Sequence, residues 1–345
     1  MRSHREFHTL STIGRLLGAV FVAAAIAACS AKTPSSPIPS SAQGSQMAAV
    51  RLDAAGCPAS VVYIVSSGKS SVEIYDPSQL AAGPCGKVTG LISPQGVFVD
   101  SKGNLWVADA AAKQIFEFTP GTKSPVLTLS DPNGVPYDVV VDATNGTAYV
   151  TEYKNNVDPS TLVEVYAKGS TTPTGSLSDP NARNGAYDAM DNMGNLYVTF
   201  MTQNNKAQVD RWMGGAGSPQ NLGLKLVSAG GIVTTADGSL AVCDPFAFRC
   251  GSFARGSTTM SKVFGHMGLG SGGVGPDKPP FLHPETLALD RRERLAYVAA
   301  DSLTTWRFPG PDHRANHLPL AEFRIPGDAG QGLAVSPASR PGAPF

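Results

Sequence analysis

One pattern returns along most of this chain and decides what it can fold into. Its clearest copy runs Pro94-Gln95-Gly96-Val97-Phe98-Val99-Asp100, a turn Ser101-Lys102-Gly103-Asn104, then Leu105-Trp106-Val107-Ala108-Asp109 and Ile115-Phe116-Glu117-Phe118. This is strand, turn, strand, loop, strand, with a fourth strand expected at Val126 to Leu129. The unit recurs at Pro136 to Asp142 with Ala148-Tyr149-Val150, and at Gly185 to Asp191 with Leu196-Tyr197-Val198. It returns at Gly230 to Thr235 with Leu240-Ala241-Val242, and at Pro284 to Asp290 with Ala296-Tyr297-Val298. The spacing, about 42 to 54 residues, is that of a four-stranded propeller blade.

The two ends of the repeat region supply one more unit. Gln331-Gly332-Leu333-Ala334-Val335-Ser336 copies the first strand of the pattern, and the chain then stops short of its partners. Those partners lie at the other end, where Val61 to Val65, Val72 to Tyr75 and Gly86 to Leu91 have the form of second, third and fourth strands. The expected fold is therefore all-β: a six-bladed β-propeller of four-stranded blades, its ring closed by a blade shared between the N- and C-terminal strands. The 37 Gly and 27 Pro, with only 16% charged residues, agree with short strands and tight turns.

Pro284-Glu285-Thr286-Leu287-Ala288-Leu289-Asp290 and Gly103-Asn104-Leu105-Trp106-Val107-Ala108-Asp109 resemble the units of NHL-repeat and gluconolactonase-like six-bladed propellers. The resemblance covers about residues 60 to 336. It implies architecture more than activity, because loops graft functions onto such folds.

Ahead of the repeats the chain has the three-part layout of an export signal: a basic stretch with Arg2, Arg5 and Arg15, an apolar run from Leu16 to Ala28, then small residues. The run is shorter than the roughly 20 apolar residues a membrane-crossing helix needs. Ile26-Ala27-Ala28-Cys29 resembles the bacterial lipobox, which implies cleavage before Cys29 and acylation of that residue. From Ser30 to Ala49 the chain is rich in Ser, Pro, Ala and Gln and reads as an extended tether. The expected divisions are residues 1–28 signal, 29–56 lipidated Cys and tether, 57–336 propeller and 337–345 tail. The domain is expected as a monomer outside the cytoplasm, held to a bacterial membrane by lipid alone.

Five cysteines leave four once Cys29 is acylated, and an oxidising compartment favours pairing. Cys57 with Cys85 and Cys243 with Cys250 are the expected local disulfides. Lys plus Arg balances Asp plus Glu at 27 each, so no long-range field attracts nucleic acid.

Several residues invite a chemical reading. Asp100, Asp142, Asp191 and Asp290 end the first strand of their units, where Asp bonds turn amides. Tyr63, Trp106, Tyr149, Tyr197 and Tyr297 share one place in the second strand and read as packing between blades. The loops entering the first strand and leaving the second share one face. Asp138, Asp188 and Glu285 are therefore expected around the channel mouth, with Asp109, Glu152, Asp244 and Asp301 farther out. The candidate ligand-binding residues are Asp109, Asp138, Asp188, Glu285, Gln95 and Gln331.

Gluconolactonase-like enzymes hold a divalent metal at this mouth through a Glu, two Asn and an Asp, whereas the matching places here include Gln95, Gly230 and Gln331. No cofactor is expected on that count. Ca²⁺ held by Asp138 and Glu285 is the metal alternative, and His283 beside Glu285 is the acid–base one. Gly268-Leu269-Gly270-Ser271-Gly272-Gly273 satisfies GxGxxG without a following helix and reads as a loop. The sequence thus points to a non-catalytic scaffold for a protein or small-molecule ligand, with a metal-dependent hydrolase or a His/Glu lyase as the alternative.

Overall fold

A computed structural model describes residues 49–264, 284–300, 304–309, 321–324 and 332–337. The signal, Cys29, the tether up to residue 48, the glycine-rich loop, His283, Asp301, Gln331 and the tail beyond residue 337 lie outside the described residues.

The chain opens with β1 (Arg51–Asp53), β2 (Val61–Ser66), β3 (Ser71–Tyr75) and β4 (Gly86–Thr89). Blade 1 follows as β5 (Pro94–Val99), β6 (Leu105–Asp109), β7 (Gln114–Phe118) and β8 (Leu127–Ser130). Blade 2 is β9 (Gly134–Val141), β10 (Ala148–Asn155), β11 (Thr161–Tyr166) and β12 (Gly175–Ser178). Blade 3 is β13 (Ala182–Met190), β14 (Leu196–Thr202), β15 (Ala207–Trp212) and β16 (Gln220–Asn221). Blade 4 is β17 (Ile232–Thr234), β18 (Leu240–Asp244), β19 (Arg249–Phe253) and β20 (Lys262–Phe264). Blade 5 is β21 (Pro284–Leu289), β22 (Leu295–Ala300), β23 (Thr304–Pro309) and β24 (Ala321–Arg324), and the last strand is β25 (Leu333–Ser336).

These strands form an all-β propeller. Each of the five blades is a four-stranded antiparallel sheet whose strands neighbour one another in chain order. The remaining sheet has five strands in the order β1-β4-β3-β2-β25, with Val61 to Ile64 of β2 paired antiparallel to Ser336 to Leu333 of β25. A four-stranded sheet beginning after Cys57 was expected here. Instead β1 adds an outer strand: Arg51, Leu52 and Asp53 pair with Thr89, Val88 and Lys87, and Leu52 is buried beside Val72 and Val88. Both expected disulfides are present. Cys57–Cys85 ties the stretch after β1 to the start of the β4 region, and Cys243–Cys250 joins directly opposed residues of β18 and β19.

Local chemistry explains the blade hairpins. Asp100 Oδ1 accepts from the backbone N–H groups of Lys102 and Asn104, and Asp191 Oδ1 accepts from those of Met193 and Asn195. Asp142 accepts from Thr144 and Asp290 from Leu295. Gly103 supplies the left-handed backbone that the tight turn demands, at φ 86°. The recurring Asp is therefore a turn-former.

The recurring aromatic is what one sheet presents to the next. Trp106 packs with Val139 and Val150 of blade 2, Tyr149 with Met190 and Val198 of blade 3, and Tyr197 with Ile232 and Val242 of blade 4. Ala241 takes that place against Leu287 and Val298 of blade 5, and Tyr297 packs with Val62 and Val335 of the five-stranded sheet. Val65 and Val72 of that sheet in turn meet Val97 and Val107 of blade 1. Full burial of one large apolar side chain stabilises by about 1.5–3 kcal/mol, so these seams are where the fold gains its cohesion.

Candidate functional site

The first strands of the blades, together with β25, line a central channel of about 130 Å³. Its wall is mostly aliphatic, with Val97, Val139, Ile232, Leu287 and Leu333 among the lining residues. At one end the character changes. Asp138, Tyr187, Asp188 and Thr286 lie there, each at the N-terminal side of the stretch of its strand that lines the channel.

Asp138 and Asp188 come from different blades and meet. The Asp188 backbone N–H donates to Asp138 Oδ2 at 3.2 Å, and Thr151 Oγ1 of blade 2 donates to Asp188 Oδ2 at 2.7 Å. The second oxygen, Asp188 Oδ1, is buried without a hydrogen-bond partner. Two local features allow this approach. A Cβ on Gly96 would stand 2.3 Å from Asp138 Oδ1, so only glycine in β5 leaves room for the neighbouring carboxylate. The pairing of β13 with β14 also shifts register between Gly185 and Asp188.

Burial sets the electrostatics. It pushes Asp138 up to about 7, against hydrogen bonds from the Val139 and Asp188 amides that favour the ionised form. Burial, and then the Asp138 charge, hold Asp188 well above the usual carboxylate range.

Aromatic rings flank this pair. Tyr153, partly exposed, stacks on Tyr137 with centroids 5.8 Å apart, and Tyr137 meets Tyr187 edge-on at 5.4 Å. The Tyr187 and Tyr137 hydroxyls are hydrogen-bonded to one another. Burial raises both phenols above their ordinary range, and the charge of Glu285 on blade 5 raises them further. Glu285 is thereby placed electrostatically with Asp138, Asp188 and the two tyrosines.

The other candidates are deployed elsewhere. Asp109 is fully buried, and its carboxylate accepts from the backbone N–H groups of Ile92, Ser93 and Ala112 at 2.7–3.1 Å. Asp244 does the same for Val227 and Ser228 and also pairs with Arg249 at 3.5 Å. Both acids hold the loop entering their own blade. Gln95 donates through Nε2 to Ser93 Oγ at 3.0 Å.

Glu152 forms a buried acid pair with Asp131. Burial, then the Asp131 charge and contact, push Glu152 up to about 10. Asp210 is pushed up to about 7, first by burial and then by contact with Asp179. Such carboxyl–carboxyl contacts become hydrogen bonds only when one member carries a proton.

Sequence reasoning missed Tyr137, Tyr153, Thr151 and the Asp131 and Asp179 pairs. Signals were present: Tyr-Asp occurs at Tyr137-Asp138 and again at Tyr187-Asp188, and Ser-Asp-Pro-Asn at Ser130 to Asn133 and Ser178 to Asn181. Among the described residues, no three His, Cys, Asp or Glu side chains gather as a metal-holding group. No helix among the described residues is long and apolar enough to cross a membrane. The two disulfides suit an oxidising, extracytoplasmic compartment. No protein-family model matches the chain.

Proposed function

We propose that the protein is an exported lipoprotein, acylated at Cys29, whose six-bladed, NHL-like propeller is a non-catalytic scaffold that binds a ligand at the channel mouth. The observation that carries the binding role is Asp188 Oδ1, a buried acceptor without a partner in a mostly aliphatic channel. Native proteins rarely leave such an atom unmet, and a ligand donor would satisfy it.

Six blades are supported by the strand β25 contributes beside β2, and by the seams that run from Tyr297 through Val335 and on from Val65 to Val97. The extracytoplasmic setting is supported by the export signal, the Ile26-Ala27-Ala28-Cys29 sequence and the two disulfides.

A fragment screen by NMR on the folded domain tests the binding role. Binders should shift the amides of Asp138, Tyr187 and Asp188, and a screen that leaves these resonances unmoved would refute it. Steady turnover of a lactone panel, lost with Glu285→Gln, would replace the scaffold reading with the hydrolase. Incorporation of labelled palmitate, abolished by Cys29→Ala, tests the anchor; labelling that survives the substitution would sink it.

A further inference from the structure

We infer that the channel mouth recognises a small organic ammonium ion, its charge held by Asp138 and Asp188 and its apolar body seated in the channel. This rests on the binding-scaffold reading above and names the ligand class for that same site.

The first ground is the unmet acceptor. Asp188 is 7% exposed, lines the channel, and has one oxygen bonded to Thr151 and the other bonded to nothing. A buried unsatisfied acceptor is costly, and an N–H donor entering the channel removes that cost.

Charge gives the second. Two carboxyl groups adjoin here, and no Lys, Arg or His is among the described residues lining the channel. The ion pairs of the described residues, Lys69–Glu73 and Arg249–Asp244, involve neither acid. A cationic donor favours the ionised form of both carboxyls, which burial alone disfavours, whereas a neutral donor does not.

The surroundings favour an organic cation over a bare one. Tyr153, Tyr137 and Tyr187 form a continuous stair of rings from the surface to the channel. Ring faces and phenol oxygens attract ammonium groups, and that attraction strengthens when water is excluded. Calcium instead needs six to eight oxygen ligands, commonly with several carboxylates, and among the described residues no three His, Cys, Asp or Glu side chains gather. Beyond the acid pair the wall is mostly aliphatic, with Ser101, Asp191 and Thr234 among its polar members, and the roughly 130 Å³ available approaches a cavity of about 150 Å³ that accepts benzene. A one-ring arylalkylamine or a short aliphatic amine fits both halves.

Calorimetry on the folded protein with benzylamine and its neutral counterpart benzyl alcohol tests the assignment. Benzylamine should bind at least about 10-fold tighter, the scale of a charge-assisted hydrogen bond over a neutral one. Asp188→Asn should weaken benzylamine by a similar factor and leave benzyl alcohol unchanged. Amide shift mapping of benzylamine on the unsubstituted protein gives a readout independent of how the variant folds: perturbations should centre on Asp138, Tyr187 and Asp188. Equal binding of the two probes, or calcium binding at these residues in preference to benzylamine, would overturn the ammonium assignment while leaving the mouth as a ligand site. Binding of neither probe would overturn the ammonium assignment alone, since the scaffold reading answers to the broader fragment screen.

Discussion

The backbone N–H of Asp188 donates to the Asp138 carboxylate at 3.2 Å, across the seam between two blades. Folding thus gathers two acids, fifty residues apart in sequence, into one buried site. Each costs the folded state something whenever it is ionised, and that cost has a pH signature.

Burial raises Asp138 from 3.8 to about 7. Between those values the folded protein retains a proton that the unfolded chain has released, so stability falls as pH rises through the window and levels off above it. Asp188, raised by burial and by the Asp138 charge, acts in the same direction. Asp138→Asn should keep an acceptor for the Asp188 amide while removing the titration. Thermal melts from pH 4 to 8 should show a shallower decline in the variant, the slope changing by at most about 1.4 kcal/mol per pH unit. A parent protein whose stability climbs between pH 5 and 7, with Asp138→Asn tracking it, would show that Asp138 is not raised.

Glu152 extends this behaviour to alkaline pH. It is pushed up to about 10 by burial and by Asp131, so the folded protein holds its proton well above the pH at which the unfolded chain loses one. Stability should therefore keep falling as pH rises from about 5 towards 10. Glu152→Gln supplies a permanent N–H donor to Asp131 without needing the proton. Denaturant midpoints at pH 9 should rise in this variant, because the parent then holds a proton its unfolded chain has released, at a cost of at most about 1.4 kcal/mol for each pH unit above the unfolded value. At pH 5, where Glu152 is already protonated, the two proteins should differ little.

Why the acid pairs escaped sequence reading while the blades did not is a matter of range. Strand, turn and strand are decided within a few residues: Asp100, Gly103 and Asn104 specify one hairpin by their own hydrogen bonds and backbone angles. The same local logic put Asp138 and Asp188 near the mouth. It could not separate them from Asp109 and Asp244, which stand at the ends of second strands and turn back onto backbone amides of their own blades. Whether an acid caps a loop or faces a channel depends on the neighbouring blade, here on Gly96 beside Asp138. Tyr137 and Tyr153 likewise gained meaning only when Tyr187 of the next blade met them. The extra strand β1 was hidden because Arg51-Leu52-Asp53 offers a single apolar residue to read.

The packing aromatics also do polar work. Tyr197 is fully buried, and its hydroxyl donates to Asp191 Oδ2 at 2.8 Å, so one side chain fills the seam to blade 4 and braces the turn of its own blade. Trp106 reaches Asp100 in the same way at 3.4 Å. Tyr197→Phe removes only the bond and should cost about 0.5–3 kcal/mol, the range spanned by neutral and charge-assisted bonds. Tyr197→Ala also empties the seam and should cost about 3–5 kcal/mol. Chemical denaturation of the three proteins resolves the two contributions. If Phe and Ala cost the same, the ring itself contributes little and the seam does not hold the blades together.

The two disulfides should differ in what they contribute, because they close loops of different length. Cys57–Cys85 spans 28 residues and anchors the segment that follows β1 to the edge of its sheet. Cys243–Cys250 spans only 7 and joins residues already opposed in the β18–β19 hairpin. Loop-closure entropy assigns about 3–4 kcal/mol to the longer loop and about 2 kcal/mol to the shorter. Replacing Cys57 and Cys85 together with Ala should therefore lower the denaturation midpoint more than replacing Cys243 and Cys250 with Ala, and should expose the Arg51 to Asp53 amides to faster hydrogen exchange. The reverse ranking would mean that the hairpin pair, buried in one cluster with Ala241 and Leu287 at the seam of blades 4 and 5, acts mainly through packing in the folded state and not through the unfolded chain.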